Sequence, residues 1–414
     1  MNNNIWVGNY NNTVNYDNVI YNVPTLVQLS NTNNLIGSYT VNNQVIQFRA
    51  LGFNSASLGR STILQDFDSN IWTITTNQKE GNNGAEYAIS YLTKINKYGE
   101  ILLFTSYNYV INNFILTPYN TIYANFAQLI NLDLYYELTS INQYFVNINQ
   151  NGQIINTTLD TNAASYPYNN NGNYYASPYK SMLFLNENIL ITDYTNNTNL
   201  LRIRIVSPST FNTINQYIYT DLSYYQGIQY LSNVAITSDN YIWLLQMPTD
   251  TTLNLLKFDP YLNNLLETID ISYAIPSYII SIIVDNDDNF WISTISNITT
   301  GYNVAYYINQ EGTILAQTNF GSETNVPYVN VNSSISSDNT LWAINGSDNY
   351  IWNINNSGII LGKYECNSLP SIIYTNNNYK QLPRFYNKKS LSYDSNYQLN
   401  CHDCKVRKGY YTLK

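Results

Sequence analysis

Residues 95–102 read INKYGEIL, and the same phrase returns as INQNGQII at 148–155, INQEGTIL at 308–315 and INNSGIIL at 354–361. Each copy begins with Ile and ends with Ile or Leu, residues that favour strands. Between them stand an Asn and, three residues later, a Gly, which supplies the positive φ that a tight hairpin turn needs. The phrase therefore predicts four β-hairpins with Gly99, Gly152, Gly312 and Gly358 in their turns.

Looser copies of the phrase fill the intervals. They are LSNTNNLI at 29–36, IVSPSTFNTI at 205–214 and FDPYLNNLL at 258–266. With them, seven hairpins begin roughly 46 to 66 residues apart, and a period near fifty residues is typical of the blades of a β-propeller.

A second phrase alternates with the first and ends in tryptophan. It occurs as DSNIW at 68–72, SDNYIW at 238–243, DDNFW at 287–291 and SDNTLW at 337–342. An Asp/Asn turn thus precedes each aromatic strand, and an apolar strand precedes each turn. Four antiparallel strands per unit, repeated around a ring, predict an all-β, seven-bladed propeller. Six or eight blades stay open, because 163–222 matches the repeat only loosely.

The two ends of the chain complement each other. SIIYTNNNYK at 371–380 has the apolar strand and the turn but not the tryptophan strand, whereas NNNIWVG at 2–8 begins with that turn and Trp6. We therefore expect the C-terminal strand to enter the first blade and close the ring, which removes free sheet edges. The predicted domains are a propeller over 1–380 and an extension over 381–414.

These motifs resemble the repeat-built propellers of the streptogramin lyase-like and two-component-regulator families, whose blades carry an acidic or Asn/Gly turn before Ile-Trp and a later Asp/Asn-x-x-Gly hairpin. The resemblance spans about residues 1–380 and implies the fold. Lyase activity would need histidine near the central channel. The single histidine, His402, lies outside the predicted blades, so the resemblance does not extend to that activity.

The residue inventory argues against several enzyme classes. With one histidine in the C-terminal extension, a Ser-His-Asp or Cys-His system is not expected. A sialidase needs clustered arginines, and the propeller region offers only Arg49, Arg60, Arg202 and Arg204. Paired carboxylates for glycoside hydrolysis stay open, since distant residues can meet in the fold. No catalytic or cofactor-binding residue is therefore assigned.

The repeated residues themselves have a structural interpretation. Aspartates in the turns cap backbone amides, and because turns repeated around a ring are spread over it, they are not expected to converge on a metal or substrate. These aspartates are Asp68, Asp239, Asp288 and Asp338. The tryptophans are expected between blades rather than stacked on a sugar. They are Trp6, Trp72, Trp243, Trp291 and Trp342.

The C-terminal extension differs from the rest in charge. Residues 380–414 carry eight of the chain's 18 basic residues and two acids, a formal charge near +6, which leaves about −15 on the remainder. The extension either folds back on the acidic propeller or docks an acidic partner or nucleic acid. The candidate docking residues are Lys388, Lys389, Lys405, Arg407 and Lys408.

The cysteines allow three interpretations. Cys401 and Cys404, with Cys366 as a third ligand, could hold zinc, form a disulfide or remain free thiols, and free thiols are preferred.

These observations lead to a functional hypothesis. With 11% charged residues and a surface rich in Asn, Tyr, Ser and Thr, the chain is expected to be a non-enzymatic interaction or structural protein that docks a protein partner. Its Asn, Tyr and Ile content suggests AT-rich codons and a viral, phage or bacterial source, with a virion component as the leading context. The alternatives are a carbohydrate-binding or polysaccharide-cleaving propeller and binding of nucleic acid or an acidic partner through the extension.

The N-terminus lacks a signal-peptide pattern and no apolar run is long enough for a membrane span, so an intracellular location is expected.

Overall fold

The structure of the chain is a computed structural model. The residues that it describes are 5–16, 19–29, 35–40, 64–66, 68–80, 86–96, 98, 100–117, 121–132, 138–161, 181–194, 200–219, 229–275, 279–295, 303–320, 331–336, 338–345, 350–365 and 370–375. Almost all of them lie in strands or tight turns, as expected for a chain rich in Ile, Val, Thr and Tyr. Within these ranges, no helix has the length and apolar character needed to cross a membrane.

The described strands follow one another along the chain in groups, most of which have four strands. The first three units comprise β1 (Ile5–Tyr16), β2 (Val19–Leu29) and β3 (Leu35–Thr40), then β4 (Leu64–Gln65), β5 (Ile71–Glu80), β6 (Glu86–Ile95) and β7 (Ile101–Tyr107), then β8 (Val110–Leu116), β9 (Ile122–Leu132), β10 (Leu138–Ile148) and β11 (Ile154–Leu159). The next two comprise β12 (Ser181–Leu185), β13 (Asn188–Tyr194), β14 (Leu201–Val206) and β15 (Thr213–Tyr219), then β16 (Gln229–Ser232), β17 (Val234–Ile236), β18 (Ile242–Thr249), β19 (Thr252–Phe258) and β20 (Leu265–Asp270), followed by a 3-10 turn at Ser272–Ala274. The last strands are β21 (Ile279–Val284), β22 (Phe290–Ile295), β23 (Asn303–Ile308) and β24 (Ile314–Phe320), then β25 (Val331–Ile335), β26 (Leu341–Asn345), β27 (Tyr350–Ile354) and β28 (Ile360–Glu365), and finally β29 (Pro370–Thr375).

The chain forms an all-β propeller with four-stranded antiparallel blades. Each blade is named below by its strands. First strands of successive blades contact one another, for example β17 with β21 and β21 with β25, which places them innermost in the ring. The fourth strands lie at the opposite ends of their sheets, on the outer rim.

The predicted count of seven four-stranded blades is wrong. The described residues form six four-stranded blades, and in the remaining sheet β21–β24 are joined by a fifth strand, because β16 pairs parallel with β21. After the buried residue Asn233, the same stretch of chain continues as β17 and pairs with β18 in its own blade. The inner edge of β21 would otherwise present unpaired backbone groups. Strand β16 lies beside this edge and pairs with part of its backbone.

The predicted ring closure is confirmed. β29 pairs antiparallel with β1, so that the sheet order is β29-β1-β2-β3. Trp6 of β1 lies opposite Tyr374 of β29 on one side and Gln28 of β2 on the other. Strands from both ends of the described chain therefore complete one blade.

All seven predicted hairpins are confirmed as the connection between the third and fourth strands of a blade. In each one the register slips by one residue at the end of the third strand, which is a β-bulge. The slips occur at Leu29, Ile95, Ile148, Val206, Phe258, Ile308 and Ile354. Because the strands are antiparallel, these hairpins and the turns between first and second strands lie on the same side of the ring, which is called the turn face below.

Candidate functional site

The repeated tryptophans lie on the second strands of their blades and are enclosed by the next blade. Trp72, Trp243, Trp291 and Trp342 are all fully buried. The ring of Trp243 is 4.9 Å from that of Phe290 in the following blade, and Trp291 packs with Ile335 and Leu341 of the blade after its own. These indoles hold neighbouring blades together, so none of the four is available to stack on a ligand.

The turn before Trp72 is organised by Asp66, a residue that the sequence analysis missed. The carboxylate of Asp66 is fully buried. Its Oδ1 accepts hydrogen bonds from the backbone N–H groups of Asp68 at 3.0 Å and Asn70 at 2.8 Å, and its Oδ2 accepts one from Trp72 Nε1 at 3.0 Å. Lys94 Nζ lies 2.9 Å from the same Oδ2. This aspartate therefore caps the turn, orients the indole and pairs with a cation.

Asp285 occupies the same position before Trp291. It accepts hydrogen bonds from the backbone N–H groups of Asp287 and Asn289, both at 2.9 Å, and from the hydroxyl of Tyr307 at 2.6 Å. Burial raises the pKa of the Asp285 carboxyl, against the lowering effect of these hydrogen bonds. Aligning the repeat on its tryptophan would have revealed both aspartates, because each lies six residues before that tryptophan.

The aspartates that the sequence singled out have other places in these turns. Asp68 is exposed, and Asp239 accepts a hydrogen bond from the hydroxyl of Thr237 at 2.6 Å. Partial burial raises the pKa of Asp338, but hydrogen bonds from the hydroxyls of Ser336 and Thr340 outweigh it, so the pKa lies below its ordinary value. These carboxylates are bound locally and do not share one site.

Turn residues also link one blade to the next. The backbone N–H of Ser238 donates a 2.7 Å hydrogen bond to Asp288, and the N–H of Asn286 donates one of 3.1 Å to the side chain of Asn339, one blade further on. Asp288 and Asn339 are three residues before their tryptophans and have positive φ, 62° and 63°. The turns thus link three consecutive blades, β17–β20, β21–β24 and β25–β28, and their aspartates lie one blade apart instead of in one site.

A buried group of four charges joins the third and fourth blades. Arg202 donates two hydrogen bonds to Asp193, at 2.8 and 2.7 Å. Arg204 is 2.7 Å from Asp193 and also pairs with Asp160 at the end of β11. Two of the arginines that were considered for a carboxylate-binding site are therefore neutralised inside the protein, between blade β8–β11 and blade β12–β15.

The glycines of the repeated phrase have two physical roles. Gly152, Gly312 and Gly358 have φ of 72°, 78° and 75°, a region that side chains disfavour. Each also lies against the outer strand of the preceding blade, where a Cβ on Gly152 would be 2.7 Å from Thr105 Cγ2 and one on Gly358 would be 3.1 Å from the backbone oxygen of Gln317. The hairpins are therefore interblade joints. Gly99 lies outside the described residues.

One surface feature repeats around the outer rim. At every third-to-fourth-strand hairpin, the residue skipped by the bulge is Ile or Leu: Ile36, Leu102, Ile155, Ile214, Leu266, Leu315 and Leu361. This set is called the aliphatic belt. Six of its side chains are described, and between 49% and 60% of each is exposed. Single exposed aliphatic residues are ordinary, but these six occupy the same register position in six blades.

The strands that carry the belt have few charges. The outer strands β7, β11, β15 and β24 contain no Asp, Glu, Lys or Arg. Neighbours of the bulge residues are apolar and exposed as well, such as Ile154 at 42% and Ile314 at 41%. Proteins usually guard the edges of sheets with charged side chains or Pro. Each of these four outer strands has a bulge at one end but contains no charged side chain that would discourage pairing with another strand.

The metal-binding and tail hypotheses concern residues beyond these ranges. Among the residues that the structure describes, no three His, Cys, Asp or Glu side chains are grouped as a metal site would require. Cys366, Cys401, Cys404 and His402 lie outside the described residues, as do the candidate docking residues Lys388, Lys389, Lys405, Arg407 and Lys408.

Comparison with known proteins shows the fold and no more. No family model matches the chain, and no curated protein is similar to it in sequence. Among solved structures, a protein from Lactobacillus plantarum has a TM-score of 0.54 at 10% identity, and a functionally unknown protein from Desulfotomaculum acetoxidans has one of 0.52 at 14% identity. Each alignment covers 91% of this chain and 99% of the other. Streptogramin B lyase is also similar, with a TM-score of 0.42 and 14% identity over 77% of this chain and 87% of the lyase. These identities are too low to carry any residue's role.

Proposed function

We propose that this chain is a non-enzymatic scaffold that docks a protein partner on its outer rim, through the aliphatic belt. The observation that supports this best is the exposed Ile or Leu in the bulge of six outer strands, those whose bulge side chains the structure describes. Exposed apolar side chains that form a regular pattern are typical of interaction surfaces. Branched aliphatic contacts also suit proteins better than nucleic acid, whose binding depends on Lys and Arg.

The proposed occupant is an extended segment of a protein partner that lies along an outer strand. A strand at the edge of a sheet offers backbone N–H and C=O groups to a peptide, and alternate side chains supply specificity. The uncharged strands β7, β11, β15 and β24 offer this without repelling a partner. The belt residues next to their hairpins provide apolar contacts for the same segment.

The buried carboxylates support the non-enzymatic part of the proposal. In the described part of the chain, the buried acids are Asp66, Asp160, Asp193 and Asp285. Each is held by a Lys or Arg side chain or by hydrogen bonds from turn residues, as described above. An acid–base pair for glycoside hydrolysis needs two carboxyl groups facing a common space for substrate. None of these four has that arrangement.

The experiment compares charge placed on the belt with the same charge placed away from it. In the test variant, Ile155→Lys and Leu315→Lys put two cations on the belt. In the control, Thr251→Lys and Asn356→Lys put two cations at exposed turn positions outside the outer strands. Proteins captured from an extract of the native source by each immobilised variant are quantified by mass spectrometry, and candidates are then purified and tested by calorimetry.

The proposal predicts one partner that binds the wild type and the control with similar affinity and binds the belt variant at least about tenfold more weakly. It is contradicted if belt and control variants retain the same proteins equally. It is also contradicted if the belt variant changes the mass of the purified chain in light scattering, since the belt would then contact a second copy of this chain.

The basic extension has a separate place in the proposal. With about +6 formal charge over 380–414, it is proposed to add a contact to an acidic partner or to nucleic acid. A chain ending at residue 380 should then lose the part of the binding that falls steeply with salt. Equal salt dependence of both chains would remove the extension from the interface. The proposed context, a virus particle, rests on composition and is tested by mass spectrometry of purified particles.

A further inference from the structure

One junction between blades differs from the others that the structure describes. On the turn face, the described hairpins that carry Gly152, Leu262, Gly312 and Gly358 lie against the outer strand of the preceding blade. Gly152, Gly312 and Gly358 allow close approach at three of these junctions, and Phe211, stacked 5.4 Å from Phe145, fills a fourth. Between blade β12–β15 and blade β17–β20, the corresponding contact leaves an open cleft of about 270 Å³.

The hairpin sequence explains why the cleft is here. The loop over 259–264 is one residue longer than the glycine hairpins, and Leu262, not glycine, takes the positive φ of 60°. The side chain of Leu262 is buried, whereas Tyr261 beside it is 64% exposed. The hairpin over 207–212 has the same length and places Phe211 at φ 58°, but the ring of Phe211 stacks on Phe145 and fills its junction, whereas Leu262 is smaller and leaves space. The space it leaves is spanned by one side chain, that of Asn215.

Asn215 fixes the relative position of the two blades at the bottom of the cleft. Its Nδ2 donates hydrogen bonds to the carbonyl oxygens of Tyr261 and Leu262, both at 3.1 Å, and to Asn263 Oδ1 at 2.9 Å. Its Oδ1 accepts a hydrogen bond from the backbone N–H of Gln216 at 2.9 Å. The loop is also held internally, since Asp259 accepts hydrogen bonds from the N–H groups of Tyr261 and Asn263. The cleft is therefore a pre-formed space.

The wall opposite the loop is a strained turn. Asn186 and Glu187, between β12 and β13, have positive φ of 47° and 64°, the geometry of a two-residue turn that normally takes Asn-Gly. Glutamate at the second position costs about 1 kcal/mol or more. The amide of Asn188 donates to the carbonyl of Asn186 at 3.0 Å, which supports the turn and keeps both amide side chains at the cleft.

The chemistry of the lining selects a class of ligand. Amides of Asn186, Asn188 and Asn263 offer both donors and acceptors, and Tyr261 offers an exposed aromatic ring. Leu185, Ile205 and Ile214 supply the apolar part of the lining. No Lys or Arg lines the space, so an anion is not favoured. Amide edges, an aromatic ring and an apolar floor match a neutral sugar, which has hydroxyl edges and an apolar C–H face.

We propose that the cleft between blade β12–β15 and blade β17–β20 binds a neutral saccharide of one or two rings, with Tyr261 stacked on the sugar and Asn186 bonded to its hydroxyls. A volume of about 270 Å³ is just below the usual range of ligand pockets, about 300 to 1,000 Å³, which limits the ligand to this size. The site shares Ile214 with the aliphatic belt. It does not depend on the docking proposal, because Ile155→Lys and Leu315→Lys, which test docking, are in other blades and should leave sugar binding unchanged.

The test uses saturation-transfer NMR with the methyl glycosides of glucose, galactose, mannose and N-acetylglucosamine, and with cellobiose. Two variants address the cleft: Tyr261→Ala removes the exposed ring, and Asn186→Gly removes the amide while keeping the positive φ. Tyr98→Ala is the matched control. Tyr98 is 71% exposed in the hairpin of blade β4–β7 and, like Tyr261, donates its backbone N–H to the Asx residue two positions earlier.

We expect millimolar binding of at least one sugar, weakened about tenfold or more by either cleft variant and unchanged in Tyr98→Ala. Binding that survives both cleft variants, or no binding of any of the five sugars, would overturn the proposal. Loss of signal in Tyr98→Ala as well would also overturn it, since it would indicate general stacking on exposed tyrosines. Capture of a protein partner should be the same in Tyr261→Ala and wild type, so failure of one proposal is distinguishable from failure of the other.

Discussion

The hydroxyl of Tyr107 donates a 2.6 Å hydrogen bond to the carbonyl oxygen of Gly152, 45 residues later in the chain and in the next blade. The same relationship recurs between Tyr273 and Gly312, at 2.9 Å. A tyrosine at or just beyond the outer strand of one blade therefore binds the hairpin glycine of the next. The phrase is repeated along the sequence because each of these hairpins joins its blade to the preceding one.

The first prediction concerns the close approach at Gly312. A Cβ at this position would lie well inside van der Waals contact of Ile269 Cγ2 in the preceding blade, and φ is +78°. Gly312→Ala is therefore expected to lower the free energy of unfolding by about 2 to 4 kcal/mol, of which about 1 to 2 arises from the left-handed backbone. Denaturant unfolding measures the change.

A double-mutant cycle separates the two causes. In an Ile269→Ala background the neighbouring methyl groups are gone, so Gly312→Ala should cost clearly less than in the wild type. If the cost is the same in both backgrounds, the glycine is required only for its φ, and the interblade approach does not contribute.

The second prediction concerns the hydroxyl of Tyr273. Tyr273→Phe removes its hydrogen bond to Gly312 and should cost about 1 kcal/mol of stability at neutral pH. Burial, together with the nearby Tyr306, raises the pKa of Tyr273 from 10.0 to about 12. A raised pKa means that the contribution is complete below pH 10 and is lost as the pH rises through 12.

Unfolding of wild type and Tyr273→Phe at a series of alkaline pH values checks this. The difference in stability should shrink between pH 10 and 12, because only the wild type has a Tyr273 proton to lose in this range. A difference that is constant over this window would show that the Tyr273 hydroxyl keeps no proton-dependent contact.

The third prediction compares two aspartates of one turn. Asp66 is buried and binds the Asn70 amide, the Trp72 indole and Lys94, whereas Asp68 is exposed. Asp66→Ala should cost about 3 to 5 kcal/mol because it leaves a buried cation and buried donors behind. Asp68→Ala should change stability by less than about 0.5 kcal/mol. Similar effects of the two substitutions, measured by thermal unfolding, would contradict this account of the turn.

The hairpins and the ring closure could be predicted because both are encoded locally. A Gly or Asn at a fixed distance from a strand specifies a turn, and an unpaired half-blade at each end of the chain specifies its complement. The turn aspartates were predicted less well. Asp68 and Asp338 stand within two residues of the Asn of the motif, but the side chain that caps the turn at Trp72 is Asp66, and proximity in sequence does not show which carboxylate points inward.

Other features depend on distance in space. The extra strand β16 follows from the free inner edge of β21, fifty residues away along the chain, and no local pattern marks it. The same holds for the cleft, which exists because Leu262 stands where three other hairpins have glycine and a fourth has the larger Phe211, and because Asn215 lies on the facing strand. In most copies of the repeated phrase the last two residues are Ile or Leu, and the second of them belongs to the aliphatic belt. Only the register slip shows that the second residue of the pair faces outward.

The last prediction concerns the buried charges between blades. Arg204 pairs with both Asp160 and Asp193, and Arg202 pairs with Asp193. Arg204→Met removes the cation that both carboxylates share, so it should cost about 3 to 5 kcal/mol. Asp160→Asn added to Arg204→Met should restore part of this loss, because one buried negative charge is then removed while Arg202 still neutralises Asp193. Since the cluster is shielded from solvent, these differences should change little between low and high salt. Strictly additive losses in chemical unfolding, or a strong dependence on salt, would mean that the four charges do not act as one interblade unit.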